Sequence, residues 1–381
     1  MGWKCYNCGN TEEFVEINKV QTDVLQELNT TKIKKIINKT MSESLLDVLC
    51  KKCASKNVKW IEISQTDDFL FSDDFVLTEE HNIGTMCFEL TTKCDIDCKY
   101  CPRGKKEELD YTLIKRLLDE NFSLQKPIRS FELGWDMGNP LLHSKIKDIM
   151  ELFSSFDCNV NILTNGKNFV NNIKNLNISN ANVTLFLDHT EKETNDIFMG
   201  KGVYDGTTKA LKWLNKHKIK TYVYMRMGRH NFDQIKDMKT FCDKNDATFI
   251  PTEIYPLGSA RESMLMTDNM KQKAICDIEN LGLKKSIHFS EPSGNCTYLR
   301  KLRLFVDSSG FMSFCHFLNL SNARIINANH MSLLELIQKN NKVRMGFVKN
   351  KNKKISSWQK PRMTASPCSY CLYAFGLNKK W

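Results

Sequence analysis

The sequence predicts an α/β protein. An open, partial (β/α)6 barrel occupies its middle, a small cysteine-rich module precedes it, and a small α+β module with further cysteines follows it. Three observations carry this. Between about residues 83 and 261, alternating apolar segments and amphipathic segments take turns, the pattern of βα units around a parallel sheet. Six such units are too few to close an eight-stranded barrel. Outside that stretch the alternation stops and closely spaced cysteines appear.

The strand segments of the middle region are residues 85–91, 130–135, 160–164, 183–188, 221–227 and 248–255. Helical periodicity falls between them at 112–120, 145–153, 205–216 and 232–244. Right-handed βα connections put the helices outside the sheet and gather ligands at the carboxyl ends of the strands. The domain boundaries read from these patterns are 1–80, 81–261 and 262–381. In the first module, 14–20 and 58–64 alternate as strands and 42–49 reads as a short helix. In the last, a helix over 268–281 leads to a hairpin turning at Asp307-Ser308-Ser309-Gly310.

The chain has 381 residues, of which 41% are hydrophobic and 26% charged, with only 17 Gly and 8 Pro. That composition excludes collagen-like and largely disordered proteins. No run approaches the ~20 apolar residues of a membrane helix, and Met1 to Cys5 offers no apolar leader. A cytoplasmic protein with no membrane partner is expected. The formal charge of +11 falls to roughly +6 once ligating thiolates are counted as anions. Most of the remainder reads as solvated lysines.

Fifteen cysteines, an odd number, do not suit a disulfide framework in a reducing compartment. Their spacing instead suits metal ligation. Cys5/Cys8 and Cys50/Cys53 supply four thiolates on two facing turns, the arrangement of a zinc-ribbon-like structural site; a further iron–sulfur cluster or unliganded thiols are the alternatives. Cys94, Cys98 and Cys101 form a Cx3Cx2C loop directly after the first barrel strand. Three ligands on a cubane cluster leave one iron open to an external ligand, which a closed structural site would not do. Tyr100, just before the third cysteine, fits a ring packed against a bound ligand. Cys87, Cys158, Cys242 and Cys276 remain and read as buried apolar residues.

The cysteine loop and its ordered companions resemble the radical S-adenosylmethionine (SAM) superfamily. Asp136-Met137-Gly138-Asn139-Pro140-Leu141-Leu142-His143 is similar to the segment written GGEPLLH, and Leu163-Thr164-Asn165-Gly166 resembles a TNG turn. Phe186-Leu187-Asp188 with Gly200 to Asp205, and Pro256-Leu257-Gly258-Ser259-Ala260, resemble later family segments. The resemblance implies a [4Fe-4S] cluster on Cys94, Cys98 and Cys101. It also implies SAM held by Tyr100, Gly138, Asn139, Thr164 and Asn165. Asn139 stands where the family has Glu, removing a charge that Asp136 is placed to restore.

The C-terminal module resembles the auxiliary-cluster (twitch/SPASM) domain, which implies a second [4Fe-4S] cluster on Cys296, Cys315, Cys368 and Cys371. The implied reaction is reductive cleavage of SAM to a 5′-deoxyadenosyl radical that takes a hydrogen atom from a substrate, with electrons from a flavodoxin or ferredoxin. A peptide or protein is the expected substrate; a small molecule, an RNA, or a non-catalytic cluster-binding role are the alternatives. Asp188, at a strand end, serves either as acid or base or as a turn former. Arg226 suits a carboxylate or an ion pair, and His143 and His230 read as structural.

Overall fold

A computed structural model describes residues 83–101, 106–134, 137–254, 262–283, 303–316 and 326–344. It also describes the backbone of the helix running on to Ile355 and of four short strands before residue 77. The chain divides into two compact units, Met1–Val76 and Leu77–Trp381.

In the first unit, β1 (Gly2–Cys5) pairs antiparallel with β4 (Val58–Ile61), and β2 (Phe14–Glu16) with β3 (Val48–Cys50). The helix expected over 42–49 is corrected at its end, where Val48 and Leu49 are strand. A β-branched residue opposite Glu16 fits a ladder better than a helix turn. The side chains of Cys5, Cys8, Cys50 and Cys53 lie outside the described residues.

The second unit is built on one nine-stranded sheet. Its strands β5 (Thr85–Phe88), β6 (Ser130–Leu133), β7 (Asn159–Thr164), β8 (Ala181–Phe186), β9 (Thr221–Met227) and β10 (Thr248–Glu253) lie side by side in chain order, all parallel. Helices α1 (Tyr111–Phe122), α2 (Ile146–Ser154), α3 (Phe169–Ile173), α4 (Lys192–Met199), α5 (Val203–Lys216) and α6 (Ile235–Lys244) fill the connections. This is the parallel α/β sheet of a partial barrel. After α7 (Asp268–Asn280), β11 (Arg303–Val306) joins the same sheet parallel to β5, and β12 (Phe311–Ser313) and β13 (Ile326–Asn327) continue it antiparallel. The final helix, α8 (Leu333–Ile355), follows.

Strand periodicity sorts the two faces of this sheet. Met86, Phe88, Phe131, Leu133, Val160, Ile162, Val183, Leu185, Val223 and Met225 belong to a single apolar core. The alternate positions carry Cys87, Glu132, Asn161, Thr184, Tyr224 and Arg226, so the opposite face is polar where a closed barrel would pack branched apolar side chains. Those polar groups are satisfied across strands. Arg303 pairs with Glu132 at 3.2 Å, the Cys87 thiol donates to the same carboxylate oxygen at 3.2 Å, and Thr184 donates to Asn161 at 3.0 Å.

Cys87, Cys158 and Cys242 are buried, but Cys276 is exposed. Helix α7 buries Ala274 and Ile278, and Cys276 falls between them on its other side. Among the described residues no helix is long and apolar enough to cross a membrane.

Candidate active site

The loop following β5 crosses the carboxyl ends of the parallel strands, and local hydrogen bonds fix its start. Thr91 forms a bridge with Glu108, and the Thr92 N–H donates to the Glu107 carbonyl at 3.0 Å. Glu108 receives Lys93 at 2.9 Å and both the N–H and hydroxyl of Ser144, at 2.9 and 2.8 Å. These donors hold its carboxyl down at about 2 against the cost of desolvation.

Cys94 is exposed, Cys101 half-buried and Cys98 buried. None of the three is in a disulfide. Burial pushes the Cys94 and Cys98 thiols up, and at Cys98 the other two cysteines add to the rise, so the three feel one another's charge. Among the described residues, no three Cys, His, Asp or Glu side chains converge closely enough to grip a single ion. Three cysteine thiols on one loop are the donor set that would hold an iron–sulfur cluster with one iron left open.

Beside Cys94 lies a largely buried amide network. Asn139 is buried at the N-terminus of the short 3-10 turn Pro140–Leu142, where its side-chain oxygen accepts from Leu141 N at 3.2 Å and from the Thr164 hydroxyl at 2.9 Å. Its amide donates to Asp95 at 3.2 Å. Asn165 donates to the same Asp95 oxygen at 2.8 Å and to the Cys94 sulfur at 3.6 Å; Asn168 donates to the other oxygen at 2.7 Å. These three amides overcome desolvation and hold the Asp95 carboxyl below its usual range.

Gly138 allows the close packing behind this network. Its φ is +73°, and an added Cβ would lie 1.8 Å from the Thr91 carbonyl oxygen. Gly138, Asn139, Thr164 and Asn165 therefore meet at one place beside Cys94. Asp95 joins them, and its sequence position, one residue after a ligand in a loop, marks it only as a turn former. Asp136 lies outside the described residues.

On the buried side, Cys98 packs with Tyr100, Met199, Val203, Ile254 and Leu265, and its thiol donates to the Met199 carbonyl at 3.7 Å. The Tyr100 hydroxyl makes a short hydrogen bond to Asp188. Asp188 is wholly buried and also accepts the Arg226 backbone N–H at 3.0 Å. Burial raises its carboxyl to about 6, opposed by the Tyr100 bond and by Arg226. A buried carboxylate so engaged anchors the cysteine loop to β8. His143 is structural: Nε2 lies 2.9 Å from the Leu109 carbonyl, and Nδ1 accepts from Lys145 N at 3.1 Å. Cys315 is half-buried beside Cys87 and Phe305. Cys296, Cys368, Cys371 and the segment from Pro256 to Ala260 lie outside the described residues.

The profile of the family described as the Radical SAM superfamily matches residues 88–242, which contain the cysteine loop, the amide network and Asp188. Over these residues the chain is similar to radical SAM domains.

A curated protein of Archaeoglobus fulgidus, described as uncharacterized, is 27% identical over 172 residues, covering 42% of this chain and 39% of that protein. Streptococcus suis SuiB bound to S-adenosylmethionine superposes with a TM-score of 0.53 at 16% identity, over 66% of this chain and 64% of SuiB. SuiB bound to precursor peptide SuiA gives 0.53 at 14%, over 75% and 70%. The anSMEcpe structure with bound AdoMet and Cp18Cys peptide gives 0.54 at 14%, over 77% and 95%. The chain thus spans under half of its curated relative and just under two thirds of SuiB in its SAM complex. The structural likenesses establish the fold alone, a partial barrel of parallel strands with outer helices.

Proposed function

We propose that this chain is a radical SAM enzyme acting on a peptide or protein. The observation that carries the reading is the three-thiol loop at the carboxyl end of β5, set beside the hydrogen-bonded polar cluster of Asp95, Asn139, Thr164 and Asn165. Cys94, Cys98 and Cys101 would hold the SAM-binding [4Fe-4S] cluster. When bound, that cluster supplies the electron that cleaves SAM to a 5′-deoxyadenosyl radical, which takes a hydrogen atom from the substrate. The chain's own residues bind, orient and exclude water. Asp95 provides the negative charge that Asn139 lacks, so the SAM ammonium meets a carboxylate held in place by three amides. Exposed Cys94 leaves this side of the loop open to the cosubstrate.

The peptide class rests on the fold shared with proteins solved in complex with SuiA and Cp18Cys peptides. A second cluster on Cys296, Cys315, Cys368 and Cys371, a zinc ion on Cys5, Cys8, Cys50 and Cys53, and reduction by a flavodoxin or ferredoxin complete the reading. Anaerobically reconstituted protein should contain about eight iron and one zinc per chain. With dithionite and SAM it should release 5′-deoxyadenosine. Replacing Cys94, Cys98 and Cys101 together by Ala should remove about four iron and abolish the nucleoside; unchanged iron and cleavage would overturn the assignment.

A further inference from the structure

Two opposite charges flank the buried corner of the cysteine loop. Arg226 extends from the polar face of β9, with its guanidinium 4.5 Å from the centre of the Phe186 ring and 5.5 Å from that of Tyr100. Asp188, one strand over, holds the Tyr100 hydroxyl and the Arg226 backbone N–H. Its own backbone is pinned by two buried asparagines: Asn195 Oδ1 accepts the Asp188 N–H at 3.0 Å, and Asn231 donates to the Asp188 carbonyl at 2.8 Å. Asp188 is therefore fixed in place. Both residues contact Tyr100, and Tyr100 packs against Cys98. Cys98 itself packs among Tyr100, Met199, Val203 and Leu265, an apolar surrounding that screens a charge less than water does.

We infer that Arg226 and Asp188 tune the reduction potential of the cluster on Cys94, Cys98 and Cys101 in opposite directions, with Tyr100 fixing their spacing. This rests on the cluster assignment proposed above. Reducing the cluster adds one electron and makes or breaks no bond, so the reduced state carries one more negative charge. A nearby guanidinium stabilises that state and a nearby carboxylate destabilises it. Neither residue is catalytic; each acts through the cluster. A mere prop for the loop has no reason to shift the couple by the sign of its charge.

The experiment is a dithionite titration of the reconstituted full-length chain, followed by electron paramagnetic resonance. SAM is left out, so that any contact of Arg226 with the cosubstrate does not contribute. The pH is kept well above about 6, where Asp188 is ionised. Arg226→Gln should lower the midpoint and Asp188→Asn should raise it. Each shift should be about tenfold in the reduced-to-oxidised ratio at fixed potential, about 59 mV for a one-electron couple. Arg226→Lys, which keeps the charge, should return most of the way to wild type. Shifts in the same direction, or no shift in either, would overturn the inference. So would loss of iron loading in both variants, because the pair would then be a scaffold. Failure of the cluster assignment itself would appear separately, as a wild-type chain that loads no iron on these cysteines.

Discussion

Cys94 and Cys98 stand four residues apart on one loop and occupy opposite surroundings. Around Cys94, an exposed residue, are amides and a carboxylate, Asn139, Asn165, Asn168 and Asp95. Around Cys98, a buried one, are Met199, Val203, Ile254 and Leu265. One loop thus presents a polar side, the wet side, which the proposed function gives to a charged cosubstrate, and an apolar, dry side, which it gives to the electrostatics of a redox centre. The division comes from the strands beneath. The wet side rests on the ends of β6 and β7, whose loops carry short polar residues. The dry side rests on β8 and the α4–α5 junction, which turn apolar residues toward it.

The strongest test of the wet side is backbone fit. Gly138→Ala puts a methyl group on the Thr91 carbonyl in a left-handed conformation, which should cost about 3 kcal/mol or more of unfolding free energy and displace Asn139. Gly84→Ala, where nothing lies within 4 Å of the new carbon, should stay within about 0.5 kcal/mol. Denaturant titration of both variants decides it. Equal costs would mean that the turn at Gly138 has room to move.

On the dry side, Leu265→Ala should cost about 2 to 3 kcal/mol of stability by leaving a cavity. SAM affinity of the reconstituted protein should change little, because Leu265 touches none of the amide network. Asp95→Asn should do the reverse. Its new amide would oppose the Asn168 donor and remove the charge, weakening SAM binding by about 1.5 to 3 kcal/mol while the thermal midpoint moves little. Equilibrium binding and calorimetry on the two variants separate the sides. If both lose stability and affinity alike, the division is false.

How far this arrangement was legible depends on distance along the chain. The cysteine loop, the βα alternation and the turns at Gly138 and Thr164–Asn165 are local patterns, and local patterns survive in a sequence read from one end. Asp95 was hidden because its partners Asn139, Asn165 and Asn168 lie 44 to 73 residues away. The pairing of Arg303 with Glu132 spans 171 residues, and the addition of β11 beside β5 spans more than 200. No periodicity reports such contacts. Asp188 was visible as a strand-end carboxylate, but its burial and its bond to Tyr100 depend on where the cysteine loop folds back over β8. The short ladder at Val48–Cys50 overrode a helical reading because pairing with Phe14–Glu16 outweighs the propensity of a few residues.

The smallest effect concerns the clamp that starts the loop on its wet side. Glu108 accepts from Lys93, immediately before Cys94, and from Ser144, just past the turn that carries Asn139. Its carboxyl is held down at about 2, below the ordinary glutamate value of 4.5. A depressed carboxyl contributes stability that is complete above the unfolded value and is lost as pH falls through the folded one. The pair is partly solvated, so Glu108→Gln should cost only about 0.5 to 1 kcal/mol at neutral pH. That difference from wild type should be full above 4.5 and shrink as the pH falls from there toward about 2. Urea titrations at stepped pH read it directly. A difference that closes already near 4.5 would show that Lys93 and Ser144 do not hold the carboxylate in solution, and the wet side would then begin at Asp95 rather than at this clamp.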